Sequence, residues 1–93
     1  MAARETLLLL CPIPADLRVA LAAHYDLVED DGEGRRPGIR IAVTTAMRGA
    51  TVAQFDRLPD LRLLSSQGTG LERIDLAGAA RRGIAVAYTP DVM

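Results

Sequence analysis

Apolar residues come in short runs along this chain, separated by stretches rich in proline, glycine and charge. Leu7 to Leu10 follow Thr6 without a polar interruption, and Cys11-Pro12-Ile13-Pro14 closes the run. A run this short and unbroken predicts a strand, residues 6–10, buried on both faces. Leu17, Ala20, Leu21 and His24 then fall at i, i+3, i+4 and i+7. That spacing marks one face of a helix, with Pro14 tolerated in its first turn. Residues 25–28 form a second short strand candidate. Residues 29–38 are polar and carry Asp30-Asp31-Gly32-Glu33-Gly34, the composition of a solvated loop. Ile39 to Thr44 reads as a third strand, and Val52, Phe55 and Leu58 as a short helix stopped by Pro59.

Leu61 to Ser65 is the fourth strand, and Ser66-Gln67-Gly68-Thr69-Gly70 a glycine-rich loop after it. Asp75 is placed as the N-cap of a helix over about 76–82. Arg81 and Arg82 suit its negative C-terminal end, and Gly83 ends it. Ile84 to Ala87 is the fifth strand. Strands alternating with helices predict an α/β fold around a parallel sheet of about five strands. Between the second and third strands no helical period is legible, so that connection is expected to be a loop or a weakly encoded helix.

With 93 residues, the chain is at most one domain with a modest core. Its net charge of -1 supplies no basic excess to displace counterions, so neither nucleic acid nor a membrane surface is an expected partner. All 11 basic residues are arginine. The four-leucine run is far shorter than the roughly 20 residues a bilayer needs, and residues 1–5 lack the order of a secretory leader. A cytoplasmic location is therefore expected. Cys11 is the single cysteine, which excludes an internal disulfide and suggests a small buried apolar residue at a strand end. No metal-ligand constellation is present.

In open parallel sheets, ligands gather at the carboxyl ends of the strands. The first such loop has two prolines, which lack the N–H groups a flavin phosphate would need, and neither the first nor the third has the acids of a phosphoacceptor site. Gly68-Thr69-Gly70 begins like a dinucleotide fingerprint, but Arg73 stands where G-x-G-x-x-G requires its last glycine. Two readings remain. One is a tight strand-to-helix turn without a ligand. The other is a nest of outward N–H groups suited to a carboxylate or phosphate.

Longer stretches carry a resemblance. Leu63-Leu64-Ser65-Ser66-Gln67-Gly68-Thr69-Gly70-Leu71-Glu72-Arg73-Ile74-Asp75-Leu76, the Leu58-Pro59-Asp60-Leu61 before it, and Arg82-Gly83-Ile84-Ala85-Val86-Ala87-Tyr88-Thr89-Pro90-Asp91-Val92 after it resemble the D-isomer-specific 2-hydroxyacid dehydrogenases. The likeness runs from about residue 39 to 93, and its ending and the Val43 to Ala50 segment look most like the glyoxylate/hydroxypyruvate reductase branch. Glu72, Tyr88 and Thr69 depart from the usual Asp, Asn and Val.

The resemblance implies a flavodoxin-like substrate domain, here incomplete over 1–93, with the nucleotide-binding domain absent. It implies that main-chain N–H groups of Thr69 and Gly70, with Gly68 beside them, hold the carboxylate of a small 2-keto or 2-hydroxy acid, and that Met47 contributes a neighbouring wall. The family's catalytic Arg, Glu and His and its nucleotide fingerprint all lie downstream of the matched segment, so no catalytic or cofactor-binding residue is expected here. His24, on the first helix, is expected to be packed or helix-terminal, and Asp75 only a cap. The complete enzyme would be an NAD(P)-dependent homodimer, and this chain alone inactive. The alternative is a stand-alone α/β module that binds a carboxylate or a protein and catalyses nothing.

Overall fold

The computed structural model describes residues 4–68 and 72–89. Its elements run β1 (Thr6–Leu9), α1 (Ala15–Ala22), β2 (Asp26–Glu29), β3 (Ile41–Thr45), α2 (Val52–Arg57), β4 (Leu63–Gln67), α3 (Leu76–Arg81) and β5 (Ala85–Thr89). The strands form one parallel sheet in the order β2-β1-β3-β4-β5. The predicted α/β class, five-strand count and parallel sense are those observed. The chain reverses its direction of travel between β1 and β3, so the loops after these two strands diverge and leave a crevice.

Alternation along the strands divides the core in two. Leu8, Ala42 and Leu64 point to the face covered by α2 and α3, where they meet Phe55, Leu58, Ile74 and Ala79. Leu7, Leu9 and Val43 point to the other face, against Ile13, Leu21 and Tyr25 of the α1 region. All three central leucines of β1 are buried, as a strand covered on both sides requires. α1 itself buries no residue completely, and Val19 on it is 72% exposed. The apolar stripe read from the sequence is therefore only half-packed. His24 lies exposed in the turn beyond the helix, at the edge of the sheet where β2 begins. It is helix-terminal but not packed.

The termini of several elements differ from the periodicity reading. Ser66 and Gln67 belong to β4, because they pair in register with Thr44 and Thr45 of β3. Tyr88 and Thr89 likewise extend β5 by pairing beside them. Ladder hydrogen bonds are indifferent to side-chain polarity, so the strands run past the point where the apolar pattern stops.

The β2–β3 connection is a loop, and one side chain organises it. Arg57, the last residue of α2, donates to Gly34 O at 2.8 Å, to Glu33 O at 3.1 Å, and to both carboxylate oxygens of Asp30 at 3.0 and 2.7 Å. Arg36 adds a second cation 3.5 Å from Asp30, and its backbone N–H donates to Arg57 O. The Asp30 side chain is 4% exposed. Its hydrogen bonds from Arg57 hold its carboxyl below the usual carboxylate range, against the opposing effect of burial.

Candidate functional site

The loops after β3 and β4 are stitched into one platform at the carboxyl edge of the sheet. Within the first, the N–H groups of Arg48 and Gly49 donate back to Thr45 O, and the Thr44 hydroxyl donates to Gly49 O at 2.7 Å. Thr44 is fully buried, so the loop is fastened from beneath by a side chain with no access to water. Between the loops, Ala46 N–H donates to Gln67 O at 2.8 Å. Ala50 and Ile74 form an isolated bridge, with Ala50 N–H on Arg73 O and Asp75 N–H on Ala50 O.

Two glycines make the approach possible. Gly49 has φ +66°, and a Cβ there would lie 2.0 Å from Arg73 O. Gly68 has φ +105°, and a Cβ would meet the Ala46 Cβ at 3.0 Å. Glycine alone takes up such backbone angles without a steric penalty. At Gly68 the chain leaves β4 in a left-handed conformation. Thr69 and Gly70, the proposed N–H donors, lie outside the described residues. Met47 stands at the tip of the β3 loop and is 82% exposed, so it is free to form a wall against a ligand but touches little of the domain itself.

Asp75 caps α3, its carboxylate accepting from Gly78 N–H at 2.8 Å, as its sequence position predicts. Cys11 is buried at the end of β1, its Sγ 3.9 Å from Thr44 Oγ1 and donating to Thr45 Oγ1 at 3.8 Å. It thus joins the supports beneath the platform. Ser66, which sequence reading put in the loop, is a fully buried strand residue whose hydroxyl has no hydrogen-bond partner. Nothing in the apolar pattern distinguishes a buried serine from a loop serine.

The main chain of Arg73, at the place of the fingerprint's last glycine, is committed to the bridge with Ala50 and packs on Gly49. His24 is at the opposite edge of the sheet. No group of three or more potential metal ligands occurs among the described residues, and no described helix is long and apolar enough to cross a membrane.

Comparison with known proteins decides the family. The catalytic domain of the D-isomer specific 2-hydroxyacid dehydrogenases matches residues 16–93. The chain belongs to that family. Glyoxylate/hydroxypyruvate reductase A of Arabidopsis thaliana is 33% identical over 94 aligned residues, which take in 92% of this chain and 30% of the relative. A 2-hydroxyacid dehydrogenase of Ketogulonicigenium vulgare superposes over 97% of this chain and 31% of its own, with a TM-score of 0.83 at 30% identity. The NADPH-dependent glyoxylate/hydroxypyruvate reductase of Sinorhizobium meliloti, solved with NADP and malonate, shares the fold with a TM-score of 0.83 at 23% identity and covers 96% of this chain. This family member thus spans about 30% of the length of the dehydrogenases it matches.

Proposed function

We propose that this chain is the N-terminal part of the substrate domain of an NAD(P)-dependent 2-hydroxyacid dehydrogenase that reduces glyoxylate, hydroxypyruvate or a similar 2-keto acid. Its own contribution is the substrate carboxylate site. Main-chain N–H groups of Thr69 and Gly70 donate to the carboxylate, Gly68 supplies the turn that aims them, and Met47 closes one side. The observation that carries this reading is the left-handed Gly68, packed on Ala46 at the head of a loop anchored on both sides by the β3 loop. A rigid frame matters because charge-assisted hydrogen bonds are strongest when the donors need no reorganisation. Hydride donor, acid/base group and keto-acid-orienting cation are assigned to the remainder of the enzyme, which relatives about three times as long leave room for. The same reading takes the complete enzyme to be a cytoplasmic homodimer, and the single buried thiol suits a reducing compartment.

The isolated 93-residue chain is expected to leave NAD(P)H absorbance at the uncatalysed rate with glyoxylate or hydroxypyruvate. The complete enzyme should oxidise NAD(P)H with either acid. In it, Gly70→Val should raise KM for the keto acid at least about tenfold while changing cofactor KM little, since one charge-assisted bond accounts for about that factor. Turnover by the isolated chain, or an unaltered keto-acid KM in the variant, would overturn the assignment.

A further inference from the structure

The segment at 68–72, which carries the proposed carboxylate site, is suspended between two carbonyls, and the β3 loop holds both. Gln67 O accepts from Ala46 N–H at 2.8 Å on one side, and Arg73 O accepts from Ala50 N–H at 3.1 Å on the other. The second tether has a support of its own. Ala50 N–H and Gly49 O belong to one planar peptide group and point in opposite directions from it. Thr44 Oγ1 donates to Gly49 O at 2.7 Å. Thr44 therefore grips one side of the peptide whose other side grips Arg73.

That peptide has little freedom. Thr44 and Gly49 are both buried, so bulk water is poorly placed to replace the hydroxyl on Gly49 O. Gly49 lies so close to Arg73 that a Cβ would come within 2.0 Å of Arg73 O. A rotation of the peptide would thus shift the seat of Arg73 directly. Ser66, the register partner of Thr44 in β4, is as deeply buried, yet its hydroxyl has no hydrogen-bond partner. Burial of a hydroxyl at this level of the sheet does not by itself tie down the loops; the bond from Thr44 does.

We infer that Thr44 is a positioning residue for the substrate. Through the Gly49–Ala50 peptide it fixes the downstream end of the 68–72 segment, and with it the N–H donors that meet the carboxylate. This inference rests on the proposed carboxylate site. Fully buried beneath the loop, Thr44 itself touches no substrate atom.

The test measures kcat and the KM values for glyoxylate and NAD(P)H in the complete enzyme carrying Thr44→Val, Thr44→Ser or Ser66→Ala. Thr44→Val keeps the shape and removes the hydroxyl. It should raise glyoxylate KM about three- to tenfold, the range for one neutral hydrogen bond, with cofactor KM unchanged. Thr44→Ser, which keeps the hydroxyl, should restore most of the affinity, and Ser66→Ala should leave KM near that of the parent. In a Gly70→Val background, Thr44→Val should cost less than it does alone, because both substitutions then act on one carboxylate contact. Ala46→Pro cuts the other tether at a half-buried loop residue. The strand residue Thr45 before it has the extended backbone that proline requires of its neighbour. It should raise glyoxylate KM likewise, and it decides the matter if Thr44→Val does not fold. An unaltered glyoxylate KM in the deciding variant, an equal rise in Ser66→Ala, or full additivity with Gly70→Val would overturn the inference. A raised KM in Gly70→Val would then leave the carboxylate site standing; an unaltered one would overturn both.

Discussion

Arg57 and Asp30 show how one pair of residues can replace an element of secondary structure. The β2–β3 connection has no helix to cover it, yet its carbonyls at Glu33 and Gly34 both accept from the Arg57 guanidinium. Asp30 in turn has two cations against it, with a nearly inaccessible side chain. Removing one partner of a buried pair typically costs 3–5 kcal/mol, and here the partial exposure of both arginines reduces the expectation for Asp30→Asn to about 1–3 kcal/mol. Acid should produce the same loss. Because the folded-state pKa of Asp30 lies below its unfolded value, its contribution is complete above about pH 4. It disappears as pH falls through the lower folded-state value. Urea midpoints of the parent and Asp30→Asn should thus differ at pH 7 and converge below about pH 4. A constant difference across that range would mean that Asp30 acts by shape and not by charge.

At the scale of elements, the short helices depend on their caps. α2 has only six residues, too few to persist on propensity. Thr51 and Gln54 form a reciprocal capping box at its start, the Thr51 side chain accepting from Gln54 N–H and the Gln54 side chain accepting from Thr51 N–H at 2.9 Å. α1 ends without a basic residue of its own, and Arg4 supplies one from across the fold by donating to Ala22 O and Ala23 O. Thr51→Ala should destabilise the domain by about 1 kcal/mol, the usual value of such a cap, read as a shift in the thermal midpoint. Thr51→Ser, which keeps the capping hydroxyl, should lose little or none of that stability. The cap at Asp75 was legible in the sequence because it uses a residue type and a spacing confined to one segment. The capping box at Thr51 follows the same local pattern, but Arg4 contacts residues 18 and 19 positions away, and no local pattern announces such a contact.

For the molecule as a whole, the two faces of the sheet are unequally covered. On the side of α2 and α3, eleven buried residues form one cluster. On the side of α1, Leu7, Leu9 and Val43 are the buried cluster among the described residues, and towards β5 Ala85 and Ala87 are exposed and Leu63 and Ser65 half-buried. Parallel sheets ordinarily have both faces covered. A domain of this length holds roughly 0.05–0.15 kcal/mol of stability per residue, and each large apolar side chain left unburied forgoes about 1.5–3 kcal/mol. Expressed alone, the 93-residue chain is therefore expected to bind a hydrophobic dye over this face or to self-associate. Sedimentation velocity with dye titration at low concentration is the measurement. A compact, dye-silent monomer with a sharp thermal transition would show that α1 suffices as a cover, and would favour a module that works by itself.

The sequence by itself determined the fold class, the five strands and the loops at their carboxyl ends. Those depend on periodicity and on punctuation by glycine and proline, which act within a few residues. The family was legible for the same reason, through the runs around 58–76 and 82–92. Only the tertiary structure decided where the strands stop, because Ser66 and Gln67 are held by their partners Thr44 and Thr45 and not by their own polarity. It decided that His24 is exposed and that α1 packs by half, since coverage depends on what lies opposite a stripe. It also joined the β3 and β4 loops through Ala46, Ala50 and Ile74, and brought Arg48 to the crevice beside them. These are contacts between residues about 20 to 40 positions apart, and their energies exist only once the sheet has assembled and brought its carboxyl edges together.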